Sequence, residues 1–389
     1  MSVSNRVKVR MNFGNGSSIS DWISFSLRDT YTDPLAELTF QAAPTRQNRD
    51  FYPELLRKGT LVTIFVDEVN QGGYLITRVR TTIGKGGGVV YDITCKTPLC
   101  TPYEGSVDPD LQISTQTDTP VVEVVLKALA PYGFDRISGD GAAAASALTG
   151  KGIKGANAPI PVSALKQSEA HAQEGETAYQ FAARIFSRLA VCLRMAPDGQ
   201  LLLGAPDYDQ QASYALVQDP SRETAGDYFT GDIVIEDTND GQFSECRVRG
   251  QRDESAGSTQ TARPDVTVKA TDINKYYPAY LGEQAGYKPK ILRDKNARDV
   301  NRCKVVAQLA LGLPAKDAYT ITGEVDGFKA KTGALWQVNT TVDVFIDADG
   351  IREKMWILER TFTQDKGGGQ RTKLKLIRLN TLVLGDIPK

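Results

Sequence analysis

Histidine, paired cysteine and long apolar runs are what this sequence lacks. Of 389 residues one is histidine, His171, and five are cysteine: Cys95, Cys100, Cys192, Cys246 and Cys303. None forms a CxxC pair, so a Cys/His zinc site of usual spacing cannot be written. An odd, widely spaced set argues against a disulfide framework and for reduced thiols buried as small hydrophobes. No apolar run reaches the roughly 18 residues of a membrane span, so no membrane insertion is expected. Excess charge of one sign is missing too: 46 Lys and Arg stand against 47 Asp and Glu, for a net charge of −1. A nucleic-acid binder would carry a basic excess or a basic domain. The first ten residues hold Arg6, Lys8 and Arg10 and no apolar stretch of a secretory signal.

What is present is turn chemistry and alternation. Thirty-five glycines and 18 prolines favour many short connections. The length allows roughly two to four domains at about 100–200 residues each. Val7, Val9, Met11 and Phe13 share one strand face, with Lys8, Arg10 and Asn12 on the other. Ile23, Phe25 and Leu27 repeat the period, then Leu38 and Phe40. Strands are expected at Leu61–Val66, Tyr74–Val79 and Val89–Cys95, the last two joined by the glycine hinge Gly84–Gly88. Short alternating strands between turn residues read as a sandwich or barrel.

The middle changes period. Thr119-Pro120 reads as a helix start, followed by Val121, Val124, Val125, Ala128 and Leu129 at helical spacing. Ser138 to Pro161 is rich in Ala, Gly, Lys and Ser and is expected to be a loop. A second helix is expected from about Glu176, followed by a hairpin turning at Pro197-Asp198-Gly199-Gln200. Strands return at Ile233–Ile235 and Phe243–Arg249, and a helix is expected over Asn296–Leu311, ended by Gly312 and Pro314. Further strands fall at Tyr319–Gly323, Val342–Ile346, Met355–Leu358 and Thr372–Leu376. The last three echo the N-terminal set: a glycine (Gly59, Gly333), strand, turn, strand, glycine hinge, strand. This order predicts an internal duplication.

Chemical motifs are weak. Gly150-Lys151-Gly152-Ile153-Lys154-Gly155 matches GxGxxG but has no strand before it and Pro159 and Pro161 after it, the wrong setting for a dinucleotide loop. Gly84–Gly88 lacks the Lys-Ser/Thr of a phosphate loop. His171 lies in a polar stretch without a nucleophile motif and reads as solvated. The pairs Glu174/Glu176 and Asp347/Asp349 could be cast as glycosidase acids. A helix first turn and a hairpin turn explain them without chemistry. Tyr276, Tyr277, Pro278 and Tyr280 read equally as a partner-facing patch or as packing of an insertion. No catalytic residue, metal ligand or cofactor is expected.

Order, more than any single motif, carries a resemblance. Asp21-Trp22 with Ile23-Ser24-Phe25, Gly73-Tyr74-Leu75-Ile76-Thr77-Arg78-Val79, Glu174-Gly175-Glu176-Thr177-Ala178-Tyr179 followed by Asp198-Gly199-Gln200-Leu201, and Gly333-Ala334-Leu335-Trp336-Gln337-Val338-Asn339 run through nearly the whole chain. Together they resemble the baseplate hub protein of contractile-tailed bacteriophages, the Mu-like tail protein P family. The family-motif positions are Trp22, Gly73, Gly175, Glu176, Thr177, Asp198, Gly199, Gly333 and Trp336, all structural. The Ala-rich stretch around Gly141–Gly155 has no counterpart.

The resemblance implies a β-rich α+β multidomain chain with two tail-tube-like antiparallel β-barrels, a small α/β domain and a helical insertion. The expected boundaries are 1–105 for the first barrel, 106–205 for the α/β domain, 206–260 with 316–382 for the second barrel, and 261–315 for the insertion. It implies a homotrimer forming a pseudo-six-fold ring in the tail baseplate of a virion, made in the host bacterial cytoplasm. The ring would join a six-fold tail tube to a three-fold central spike. Implied partners are the chain itself, the tube protein, the spike, wedge or other baseplate subunits and the tape-measure protein. DNA would pass through the lumen without specific binding, and near-neutral charge predicts a lumen that is neutral or acidic.

Three alternatives compete. The hub part of a secretion-system spike would continue into a spike, whereas no β-helical repeat precedes Lys389, so a separate spike is expected. A cell-wall hydrolase would need a carboxylate pair or Cys/His site in a cleft. A carbohydrate-binding module would cluster its exposed tryptophans, while Trp22, Trp336 and Trp356 are far apart.

Overall fold

The computed structural model describes residues 8–19, 22–45, 48–108, 111, 121–140, 171–187, 192–204, 206–218, 226–251, 263–270, 287–294, 297, 300–365, 367 and 369–382. Seven strands open the chain: β1 (Val9–Phe13), β2 (Ser18–Ile19), β3 (Trp22–Thr30), β4 (Glu37–Ala42), β5 (Leu61–Val66), β6 (Val69–Ile83) and β7 (Val89–Lys96). Alternation decides their faces: Met11 and Phe13, Phe25 and Leu27, Leu38 and Phe40, and Ile93 and Cys95 all point inward. They pair in the order β2-β1-β5-β6-β7-β4-β3, antiparallel throughout. The expected glycine hinge is a tight turn, with Gly84 N–H donating to Gly88 O at 2.8 Å.

A smaller unit follows. Strands β8 (Ile137–Asp140), β9 (Cys192–Met195) and β10 (Leu201–Gly204) form a three-stranded sheet in the order β8-β10-β9. Helices Val121–Leu129 and Ala178–Ser187 cover it, burying Val125, Leu129, Phe181 and Phe186 against Leu201 and Leu203.

Next come β11 (Tyr214–Val217), β12 (Asp227–Tyr228) and β13 (Val234–Asp237), then β14 (Glu245–Arg249), β15 (Asp265–Lys269) and β16 (Pro289–Arg293). The strand at Phe243–Arg249, expected within the second-barrel segment 206–260, does not join it. β14 pairs with β15 and β16 in a separate three-stranded sheet. Its inward residues Cys246 and Val248 share a core with Cys303, Ala307 and Leu311 of helix Val300–Ala315. Alternation says that one face is buried, not against what.

That helix also runs further than the expected Asn296–Leu311. Gly312 and Pro314 lie inside it. A proline this close to the end removes one backbone bond, and the turn still closes through Ala318 N–H to Ala315 O at 3.1 Å.

The last strands are β17 (Tyr319–Asp326), β18 (Thr341–Ile346), β19 (Ile351–Asp365) and β20 (Gly369–Arg378). With the earlier strands they give the order β13-β17-β20-β19-β18-β11-β12. Phe229, following β12, bridges to Val325 of β17, beyond the stretch of β17 that β13 covers, and so links the β12 end of that order back to β17.

The two strand sets repeat each other in strand order and, around one bulge, in register. In both, the long second strand of the hairpin is bulged after one isoleucine: Ile76 opposite Cys95 in β6–β7, and Ile357 opposite Leu376 in β19–β20. Ile76 N–H donates to Thr60 O and Ile357 N–H to Thr340 O, each at 2.9 Å. Gly59 and Asn339 close the same turn from the other side, with positive φ of 84° and 61°. The counterpart of Gly59 is therefore Asn339, not Gly333 as linear order suggested. Asparagine tolerates the left-handed conformation that the turn requires.

The sets are joined as well as repeated. β3 pairs with β19 from Thr30 opposite Glu359 to Ser24 opposite Asp365, so both sets belong to one 14-stranded sheet. They share one core, in which Phe25 contacts Phe328 and Phe328 contacts Phe362.

Candidate functional site

The β3–β19 joint is the structural centre of the described chain. Trp356-Ile357-Leu358 is continuously buried, and the next two residues of β19 are charged. Glu359 accepts from Arg28 Nη2 at 2.9 Å and from Thr30 Oγ1 at 3.0 Å. Burial by itself would raise the Glu359 carboxyl, but the bonds from Arg28 and Thr30 outweigh it and hold it below the usual carboxylate range. The Glu359 bond in turn raises the Arg28 guanidinium.

Arg360 is 4% exposed and reaches three segments. It donates to Trp336 O at 2.8 Å and to Gln71 Oε1 at 3.1 Å, and it pairs with Asp29 at 3.6 Å. Its guanidinium lies 4.1 Å from the Phe362 ring centre. Beside it opens a cavity of about 280 Å³, lined among others by Asp29, Asn70, Gly73, Arg194, Gln337 and Arg360. Asn70 Nδ2 donates to Pro197 O at 3.1 Å, which brings the β9–β10 turn onto the joint.

Several motif residues meet here. Gly73 lines the cavity, the Trp336 carbonyl holds Arg360, and Asp198 and Gly199 form the turn after Pro197. Asp198 Oδ1 accepts from Gln200 N–H at 3.0 Å. Others lie apart. Trp22 stacks edge-on against Phe25 at 5.2 Å, and Gly333 closes a turn with N–H to Ala330 O at 2.8 Å.

Gly175, Glu176 and Thr177 precede helix Ala178–Ser187. Glu176, expected in the helix first turn, stands before it and binds Arg184 at 2.7 and 2.8 Å. Thr177 is the cap. Its Oγ1 accepts from Gln180 N–H, while Gln180 Oε1 accepts from Thr177 N–H, both at 3.1 Å. This is the reciprocal capping box. Asp347, of the second acid pair considered, pairs with Arg352 at 3.4 Å.

Arg28, Glu359 and Arg360 were not singled out from sequence. The signal was there: two adjacent charges inside a strand that continues to the buried Phe362. Among the described residues no group of three or more His, Cys, Asp and Glu is placed to hold a metal, and no helix is long and apolar enough to cross a membrane. GxGxxG (Gly150–Gly155), the Thr119-Pro120 helix start and the Tyr276–Tyr280 patch lie outside the described residues. The arrangement at the joint clamps strands together and presents no paired nucleophile and base.

Comparison with known proteins locates the fold. No curated protein matches the chain by sequence. A tail protein from Neisseria meningitidis aligns over 98% of this chain and 99% of its own, with a TM-score of 0.73 at 17% identity. The 43 kDa tail protein of prophage MuSo2 from Shewanella oneidensis aligns over 97% and 99%, with a TM-score of 0.70 at 14% identity. A Francisella PdpA–VgrG complex contains a chain matched over all of this one and 60% of its own, with a TM-score of 0.53 at 10% identity. Residues 315–378, from the end of the long helix through β20, match the model of the NMB1110-like tail protein C-terminal domain. Residues 315–378 thus match a tail-protein C-terminal domain, and the whole chain is similar in fold, end to end, to two solved tail proteins, one of them from a prophage.

Proposed function

We propose that this chain is the structural hub of a contractile phage tail baseplate, a homotrimer whose two strand sets act as tail-tube-like barrels in a pseudo-six-fold ring. The ring adapts a six-fold tube to a three-fold spike and encloses the DNA path. The observation that supports this reading is the repeated strand order of β5-β6-β7 and β18-β19-β20, with a matching bulge in β6–β7 and β19–β20. Two equivalent modules per chain let a three-fold assembly present six-fold geometry. The family-motif residues serve that architecture: Gly73, Trp336 and the Asp198-Gly199 turn at the joint, Trp22 in the shared core, and Gly175-Glu176-Thr177 at the start of a helix. Tube, spike, wedge and tape-measure proteins are the proposed partners, in the virion tail. The purified chain should sediment as a trimer, and electron micrographs should show six lobes around a central channel. A chain that stays monomeric with its tube and spike partners present would overturn the proposal.

A second reading, the hub module of a type VI secretion-like spike, is favoured by the match to a chain of a PdpA–VgrG complex. Copurification of this chain with tail-tube protein from assembled particles separates the two.

A further inference from the structure

We propose that the outer edge of β6, from Arg78 to Ile83, receives β13 of a second copy of this chain, repeating between copies the β3–β19 joint made within one. The proposal deepens the ring reading by assigning its interface, and it rests on that reading.

β19 is bordered by β20 on one side from Met355 to Asp365. On the other side β18 covers its first half and β3 its second. β6 is bordered by β7 and, on the other side, by β5 over Val69–Leu75. The position that β3 fills on β19 is unpaired on β6 among the described residues. β3 in turn sits on β4 and uses its other edge for β19. Its counterpart β13 sits on β17, the counterpart of β4, and its other edge is unpaired among the described residues. One chain therefore makes the joint once and carries both halves of a second. A contact of this head-to-tail kind links copies into a ring or filament, and it closes when the rotation allows.

The register follows from the duplication. Leu27 lies opposite Leu38, which lies opposite Cys95; Ile235 lies opposite Ile321, which lies opposite Leu376. Cys95 and Leu376 both face the isoleucine before the bulge, so Leu27 corresponds to Ile235 and Arg28 to Glu236. Counting on from the bulges, Glu359 corresponds to Arg78 and Thr361 to Arg80. Because Arg28 faces Thr361 within the chain, Glu236 faces Arg80 between copies. The intrachain ion pair Arg28–Glu359 becomes Glu236–Arg78, the same pair with its signs exchanged.

The two edges have the exposure of an uncovered joint. Ile83 is 69% exposed and Val234 50%. Arg78, Arg80, Thr81, Thr82 and Glu236 are all exposed. An open edge carrying apolar side chains templates unwanted pairing unless a partner covers it. Opposite charges across the strands fix partner and register.

Cysteine pairing and charge exchange test the interface on the full chain. Directly opposed antiparallel residues lie about 4.5–5.5 Å apart, within disulfide reach. The double variant Arg80→Cys with Glu236→Cys should give intermolecular disulfides under oxidation that neither single variant gives. Arg78→Glu should weaken association roughly tenfold by placing like charges together. Adding Glu236→Arg should restore it, with circular dichroism unchanged throughout. A ring that forms normally in all charge variants and leaves the cysteine pair unlinked would overturn this interface and leave the ring reading standing. A wild-type chain that never associates would remove both.

Discussion

Arg360 ties β19 to β3, β6 and the Trp336 segment through one guanidinium. Arg360→Met keeps an unbranched aliphatic stem, but it removes the guanidinium over Phe362 and leaves Asp29 and the Trp336 carbonyl without their donor. Removing one partner of a buried ion pair costs about 3 kcal/mol. Urea unfolding should therefore show a loss near that size, much larger than for the exposed Arg57→Met. Glu176 behaves differently because its effect depends on pH. Burial opposes its ionisation, while Arg184 and the Gln173 amide together more than compensate, so its carboxyl titrates below the ordinary value of 4.5. A depressed folded-state value means stability that is present above 4.5 and lost as pH falls through the lower folded value. Wild-type thermal midpoints should drop as pH falls below the ordinary value of 4.5. The Glu176→Gln variant should start lower and drop less. Thr177→Ala, which removes half of the capping box, should cost about 1 kcal/mol at any pH in a denaturant titration.

Single elements show how the second strand set closes. Phe229 bridges Val325, and its ring lies over Gly323 of β17, where a Cβ would come within 2.5 Å of ring carbon. The first set has Phe40 at the matching position, with Trp22 opposite Ala42 where the second has Phe229 opposite Val325. The closure is thus built from an aromatic ring over a glycine. Gly323→Val adds strand propensity yet pushes the ring off, and overpacking of this kind costs about 1–3 kcal/mol. Hydrogen exchange should show faster exchange at the Phe229 and Thr230 amides, which donate to Val217 and Glu324 carbonyls. Unchanged protection there would show that the ring does not hold the closure.

At the scale of the molecule, the shared sheet makes the two strand sets one cooperative body. β3 and β19 are central strands of a continuous ladder, so neither set can open without breaking the joint. Amides of β3 and of the second half of β19 should exchange as slowly as the inner strands β7 and β20, through global opening only. Intermediate protection at the joint, with one set slower than the other, would mean that the sets unfold separately.

The sequence by itself determined the strands, their inward faces, the scarcity of metal- and nucleophile-forming residues and the order of the duplicated hairpins. These follow from period-two alternation, turn residues and composition, which are local. Tertiary structure decided what local pattern cannot carry. It set β14 against the long helix instead of the second strand set, and it matched Asn339 rather than Gly333 to Gly59. It also brought Arg28 and Asp29 to Glu359 and Arg360 across some 330 residues. Alternation fixes which side of a strand is buried, but pairing depends on which other chain segment covers that side, and only the folded backbone brings the candidates together.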